Sequence, residues 1–421
     1  MDQRREEYLV ADMNLASEGR GRIDWAWQYM PVLRLILEKE LAGGKKPLAG
    51  HTVAACLHLE AKTACLLKAL KDLGATVSAA GSNPLSTQDP ICAALAEYGV
   101  HVFSKHGMSA AEYEENLCRM LAWEPDVLID DGADTVALIH EKFRSLAPRI
   151  RGGCEETTTG IKRLRAMDSE GLLLFPMLAV NDALSKYLFD NRYGTGQSVW
   201  DAIMRTTNCT VAGRTVVVIG YGWCGKGVAK RAAGLGASVV VAEINAHRAL
   251  EAHMDGYRVM DIAQASEVGD IFVTVTGNTQ VIRKEHFEKM KDGVLLANAG
   301  HFDVEVYIPH LEEIASKIYD SRANIRTYET ADGRRLHLLG EGRLVNLAAG
   351  DGHPIEIMDT SFATQFLSAL YIAKGGELKK GLQQVPAFID DMVAGYKAES
   401  LGLRLERLTP EQEKYLVDWR A

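Results

Sequence analysis

The 421-residue chain carries 56 acidic against 47 basic side chains, a formal net charge of −9. Its length exceeds one ordinary hydrophobic core and calls for more than one domain. Its charge excludes a broad basic face for nucleic acid and a polybasic membrane anchor.

The start, Met1 to Glu7, is charged and has no apolar core for export, and no run is long enough to span a bilayer. The expected compartment is the cytoplasm. The cysteines Cys56, Cys65, Cys92, Cys118, Cys154, Cys209 and Cys224 are odd in number, irregularly spaced and without a C-x-x-C pair. That pattern argues against a disulfide framework and a structural zinc site, and no metal ligand is assigned. Packing is the expected role for most of them, Cys224 in its glycine-rich turn included.

In chain order, Val53–Leu57 reads as a strand, Ala61–Leu73 as an amphipathic helix and Thr76–Ala79 as the next strand. A helix around Ile91–Tyr98, the strand Val100–Phe103, a helix over Met108–Leu121 and the strand Val127–Ile129 come next. This alternation predicts an α/β fold with a doubly wound, mostly parallel sheet, whose ligands sit at the carboxyl ends of strands. His58, Asn83, Asp130 and Asp131 fall at such ends and are expected to converge on one crevice. Gln197–Thr206 reads as a connecting helix. A second β/α series with the strands Val216–Ile219, Ala237–Ala242, Ile271–Val275 and Val294–Ala297 predicts a second Rossmann-like domain. The apolar helix Ser361–Tyr371 is expected to return to the first domain, and Val393–Ala421 has a charged, helical pattern. The expected division is 1–190 for the first part of a substrate domain, 191–350 for a dinucleotide domain, 351–395 for the return and 396–421 for a C-terminal segment.

Within the second series, Gly220, Gly222 and Gly225 fit G-x-G-x-x-G between a buried strand and a helix. The first glycine permits the tight turn, the second lets a pyrophosphate approach the backbone, and the third lets helix and strand pack closely. Glu243 ends the next strand, where a carboxylate holds a ribose diol and repels a 2′-phosphate, so NAD is expected rather than NADP. Other chemistry-bearing clusters are Glu155–Glu156 with Thr157, Thr158 and Thr159; Asn181; Lys186 with Asp190 and Asn191; the His301 turn; and the His353 turn. Lys186 and Asp190 are one α-helical turn apart and would share a face. Each cluster also has an ordinary reading: a helix N-terminus, a surface ion pair, a structural histidine.

Taken together, Cys56-Leu57-His58, Ser86-Thr87-Gln88-Asp89, Asp130-Asp131-Gly132, Glu155 to Gly160, Phe189-Asp190-Asn191, Gly220-Tyr221-Gly222, Asn298 to Glu305 and Glu341 to Leu347 resemble the S-adenosyl-L-homocysteine hydrolase family over nearly the whole chain. The resemblance implies thioether hydrolysis through NAD-dependent oxidation of the ribose 3′ carbon, elimination, water addition and re-reduction. It implies that Lys186 with Asp190 and Asn191 handles the 3′-hydroxyl proton and that Asp131 and His58 serve C4′ deprotonation and leaving-group protonation. By the same resemblance Glu156 holds the ribose, His301 lies beside the 3′ oxygen, and Asn181 positions Lys186. Glu60, Lys62, Thr63 and His353 would then face the purine. Thr157, Thr158, Thr159, Gly220, Gly222, Gly225, Glu243, Arg248, Thr276, Asn298 and Asn346 would contact NAD. The implied partner is a small-molecule substrate, and the implied assembly is a homotetramer.

The chain departs from longer relatives. It stops without their Lys- and Tyr-bearing tail, so looser or differently tuned NAD retention is expected. Thr195 replaces a cysteine near the nicotinamide, and Arg248 replaces an asparagine near the adenosine ribose of NAD. Lys62 stands where longer relatives have a glutamate that accepts from the adenine amine. Lysine only donates, which favours a 6-keto purine and makes S-inosyl-L-homocysteine an alternative substrate; otherwise Lys62 turns aside to pair with Glu60 or Asp351. Two further readings stay open, an NAD-dependent 2-hydroxy acid dehydrogenase and a catalytically inactive regulatory relative.

Overall fold

The computed structural model describes residues 6–420; Met1–Arg5 of the charged start, and Ala421, lie outside them. The described strands are β1 (Thr52–Leu57), β2 (Thr76–Gly81), β3 (His101–Phe103), β4 (Val127–Asp130), β5 (Gly152–Glu155), β6 (Pro176–Ala179), β7 (Thr215–Ile219), β8 (Ser238–Ala242), β9 (Arg258–Val259), β10 (Ile271–Thr274), β11 (Val294–Asn298), β12 (Ala315–Arg322), β13 (Ile325–Thr330), β14 (Arg335–Leu339) and β15 (Gly381–Gln384).

They form two sheets. The first has the order β15-β6-β5-β4-β1-β2-β3 and is wholly parallel. The second has the order β12-β13-β14-β11-β10-β7-β8-β9 and is parallel except for the β12–β13–β14 edge. Each reverses direction at one switch point, β1/β4 in the first and β7/β10 in the second, and doubly wound sheets bind ligands at such crevices.

Continuous β-branched and apolar runs make these central strands, because both faces are covered. In β1, Val53, Ala55 and Leu57 enter one core while Ala54 and Cys56 enter the opposite one. In β7, Val216 and Val218 face one layer and Val217 and Ile219 the other. The period-two alternation of a strand thus feeds two apolar layers per sheet.

The apolar helix runs over Ile355–Ala373, longer than the sequence pattern indicates, and packs in the first sheet's core through Phe362, Phe366 and Leu370. The tail is not one helix: Ala387–Ser400 is helical, a non-helical stretch comes after it, and Pro410–Val417 forms a short helix capped by Thr409. Proline at the first turn restarts the helix there. Among the described residues no helix is long and apolar enough to cross a membrane.

Candidate active site

A cleft of about 1290 Å³ lies between the carboxyl ends of the two sheets. His58 comes directly after β1 and Asp131 directly after β4, so the two flank the first sheet's switch point. His58 Nε2 lies 3.1 Å from Asp131 Oδ2. His58 Nδ1 sits 2.6 Å from Ser86 Oγ, whose own proton goes to the Asn83 carbonyl. The serine oxygen therefore accepts from Nδ1–H, and a proton must lie between Nε2 and Asp131 for that contact to be a hydrogen bond. Burial lowers the His58 pKa, and the Asp131 charge opposes this. His301 arrives from the second sheet, with Nδ1 3.5 Å from Asp131 Oδ1. Nitrogen and carboxylate oxygen atoms of His58, Asp131 and His301 all lie within 4.8 Å of one another, so the three side chains form one cluster.

Beside them is a buried charge cluster. Lys186 Nζ lies 3.3 Å from Asp190 Oδ1, 3.5 Å from Glu156 Oε1 and 2.8 Å from Asn191 Oδ1. The α-helical turn inferred from the sequence is here a π-helix, Tyr187–Gly194. Its wider i→i+5 winding lets Lys186 reach Asp190 and Asn191 together. Asn191 in turn donates to Asn181 Oδ1, which also accepts from Thr158 Oγ1. Burial alone would lower the Lys186 pKa, but Asp190 and Glu156 outweigh it and the net shift is upward, so this lysine is an ammonium. Burial raises Asp190, but Lys186 and His353 more than offset it, and its pKa falls. Burial pushes Glu156 up to about 7, partly opposed by Lys186. The two carboxylates around one cation are thus driven apart, Glu156 upward and Asp190 downward.

The second sheet supplies mostly backbone. Gly220 turns at φ +102° after β7, and Gly222 caps the helix Trp223–Gly234 with no side-chain capping bond. The first N–H groups of that helix therefore remain for an anion. A Cβ on Gly222 would meet nothing nearer than Arg248 Nη1 at 3.9 Å, whereas one on Gly225 would strike the Gly220 oxygen at 2.0 Å. Gly225 does not line the cleft; it lets the helix pack on the turn. Glu243 directly follows β8, and its carboxylate accepts from the N–H groups of Tyr221, Ile244 and Asn245. Thr157, Thr158, Thr159, Arg248 and Thr276 line the same cleft. Asn346 donates to Ser198 Oγ, while its buried Oδ1 has no hydrogen-bond partner among the described residues. An open glycine cradle, a carboxylate just past the next strand and an orphan amide acceptor fit a dinucleotide.

The family profile of S-adenosyl-L-homocysteine hydrolase matches residues 7–147, and that of its NAD binding domain matches residues 191–352. An adenosylhomocysteinase of Thermococcus kodakarensis is 56% identical over 415 residues, covering 98% of each chain. An S-inosyl-L-homocysteine hydrolase of Methanopyrus kandleri is 55% identical, covering 98% of this chain and 97% of the relative. An adenosylhomocysteinase of Aquifex aeolicus is 52% identical, covering 98% and 99%. The chain belongs to the S-adenosyl-L-homocysteine hydrolase family.

This hydrolase-family cofactor is NAD, held by the domain whose profile matches here. Some residues expected at the site lie elsewhere. Asn298 is fully buried and off the cleft; it accepts from Thr274 Oγ1 and Gly300 N and donates to the carbonyls of Gly300, Phe302 and Gly342. Its place at the end of β11 makes it the tie of the loop carrying His301 rather than a cofactor contact. Asn83 and Asp130 also miss the crevice. Asn83 closes the turn at Leu85–Thr87, and Asp130 accepts from the N–H groups of Asp131 and Val136. Successive strand-end residues point to opposite sides, so only the second acid of each pair, Asp131 and Glu156, enters the cleft.

At the far end, Glu60 caps the helix Ala61–Asp72 by accepting from the N–H groups of Lys62 and Thr63. Lys62 Nζ lies 2.9 Å from Glu60 Oε2 and 2.6 Å from the Asp351 carbonyl, and still lines the cleft with Thr63. His353 places Nδ1 3.1 Å from Asp190 Oδ1 and Nε2 3.3 Å from Thr195 Oγ1. Thr195 Oγ1 is 3.6 Å from Cys224 Sγ, so a thiol does line this region, from a different helix, with its pKa raised by burial. Sequence reasoning missed Ser361, which donates to Asp190 Oδ2 at 2.8 Å, and Gln365, which donates to Glu156 Oε2 at 2.5 Å. Their signal was polar side chains in the middle of an otherwise apolar helix.

Proposed function

We propose that the chain hydrolyses S-adenosyl-L-homocysteine reversibly to adenosine and L-homocysteine, with tightly held NAD restored in each turnover. The observation that carries this is one cleft joining a dinucleotide cradle, a buried Lys186–Asp190–Glu156 cluster and a His58–Asp131 dyad. A thioether carbon–sulfur bond resists direct attack by water. NAD, when bound, accepts a hydride from C3′ of the ribose and later returns it. Lys186 is already an ammonium and Asp190 is shifted down, so Glu156, rather than the Lys186–Asp190 pair expected from the sequence, takes the 3′-hydroxyl proton while the Lys186 ammonium stabilises negative charge on that oxygen. The 3′ carbonyl makes the C4′ proton acidic. Asp131 removes it, and the proton between Asp131 and His58 passes from Nε2 to the departing sulfur, leaving the dyad's proton count unchanged. Water then adds in reverse through the same dyad, and Glu156 returns its proton as the alcohol reforms. Closure of the cleft excludes water from the carbonyl.

Homocysteine release by enzyme holding stoichiometric NAD, without net NADH, tests the reading. Net NADH would mark a dehydrogenase, and neither product would mark an inactive relative.

A second reading, hydrolysis of S-inosyl-L-homocysteine, draws on Lys62. Two of its three protons go to Glu60 and Asp351, and the third suits a 6-keto oxygen, while Glu60 is committed to the helix cap. The kcat/KM ratio for the two thioethers decides between them. A homotetramer is the proposed assembly, supported by exposed Leu403, Leu405, Tyr415, Leu416, Val417 and Trp419 near the chain end; light scattering measures it.

A further inference from the structure

β4 and β5 end side by side, with Asp130 opposite Glu155, and each leads into a cleft-facing acid, Asp131 and Glu156. Glu155 itself is fully buried and off the cleft. Its Oε1 accepts from Gly132 N, Thr157 N and Thr157 Oγ1, each at 2.9 Å, and its Oε2 from Ala133 N at 3.0 Å. One carboxylate therefore ties the loop after β4 to the loop after β5.

The loop geometry is fitted to it. Gly132 and Ala133 turn consecutively at φ +93° and +61°. Alanine occupies that left-handed region only under constraint, and here the two successive N–H groups close on one anion. The carboxylate also sits at the start of two helices, Asp134–Lys142 and Thr158–Ser169, whose dipoles favour negative charge there. The second helix approaches so closely that a Cβ on Gly160 would lie 2.1 Å from the Glu155 carboxyl carbon. Burial and the charges of Asp130 and Asp131 push the Glu155 pKa up, and its backbone donors oppose them.

We infer that Glu155 is a positioning residue, which sets the Asp131 carboxylate against His58 and the ribose by clamping the Asp131-Gly132-Ala133 turn to the Glu156–Thr157 loop. It touches neither substrate nor cofactor. This inference rests on the role proposed above for Asp131. An amide at this position cannot serve all four donors, because its nitrogen only donates; with its oxygen in the Oε1 place it leaves Ala133 N unpaired, and the Asp131-Gly132-Ala133 turn loosens.

The test separates the two half-reactions of the NAD-loaded enzyme. Incubation with adenosine reports hydride transfer as absorbance near 340 nm, and solvent deuterium exchange at C4′ reports proton removal. With Glu155→Gln, exchange falls at least about tenfold while hydride transfer stays within about threefold and KM changes little. Equal loss of both, or loss of thermal stability with both rates intact, overturns the inference. If Glu155→Gln does not fold, Glu155→Asp carries the same test: it keeps the charge but retracts it by one methylene, and the same asymmetry is expected. Wild type and Asp131→Asn serve as controls. Absence of C4′ exchange in wild type, or its survival in Asp131→Asn, defeats the underlying reading instead.

Discussion

The two sheets are both doubly wound about a single switch point yet present opposite chemistry at their carboxyl ends. The first offers side chains: His58, Asp131, Glu156 and, just beyond β6, Asn181 and Lys186. The second offers mainly a glycine turn, free helix N–H groups and a carboxylate already holding three backbone amides, with His301 reaching across to Asp131. A substrate undergoing proton transfers needs groups that titrate, whereas a cofactor that must stay put needs shape and fixed dipoles. The same kind of topology therefore serves a reacting and a retaining half, and the difference lies in the loop that leaves each strand.

Substitutions in either half probe this contrast. The largest effect is expected at Lys186, whose ammonium is shared by three buried side chains. Lys186→Met should lower kcat by about a thousandfold through loss of charge stabilisation at the 3′ oxygen, with NAD content unchanged. Extracted NAD that fell with activity would instead assign Lys186 to the retaining half.

Glu156→Gln should cost about a hundredfold in hydride transfer. Because the Glu156 carboxyl is raised to about 7 and the step needs its ionised form, the wild-type rate should climb with pH through that value. A rapid-mixing pH profile should show this limb in wild type and not in the variant.

The glycine turn gives a paired test in the other half. Gly222→Ala has room for its methyl in the protein alone, so it should leave Tm unchanged and weaken NAD retention about tenfold by filling the phosphate approach. Gly225→Ala meets a backbone oxygen and should lower Tm, at a cost of about 1–3 kcal/mol. Calorimetry and NAD dissociation rates separate the two, and equal behaviour would dissolve the distinction.

Lys62→Glu should shift the kcat/KM ratio about tenfold toward the adenosyl thioether, and an unchanged ratio would remove Lys62 from base selection.

The smallest effect belongs to Asp130. Burial raises its carboxyl to about 7, so the folded chain binds its proton more tightly than the unfolded chain does. That contribution is fully present below the ordinary carboxylate value and is lost as pH rises through about 7. Asp130→Asn should flatten the fall in stability between about pH 4 and 7 by an amount on the order of 1 kcal/mol, read as Tm across that range. An identical pH slope in both proteins would show that its charge is offset locally.

Local pattern was enough for the repeating β/α architecture, the glycine turn and the strand-end place of Glu243, because each is written in contiguous residues with a fixed backbone consequence. β5 and β6 escaped it. Gly152-Gly153-Cys154-Glu155 has too little apolar bulk to read as a strand, and its burial comes from neighbours on both sides. The π-helix escaped for a related reason: the i,i+4 spacing of Lys186 and Asp190 is compatible with an ordinary turn, and the partners Ser361 and His353 that Asp190 meets there come from distant sequence. By itself the chain determined which residue types stand at the ends of its strands. Tertiary structure decided which of two adjacent acids enters the cleft and which lies beneath it, because that choice depends on sheet pleat and on amide donors contributed by another loop.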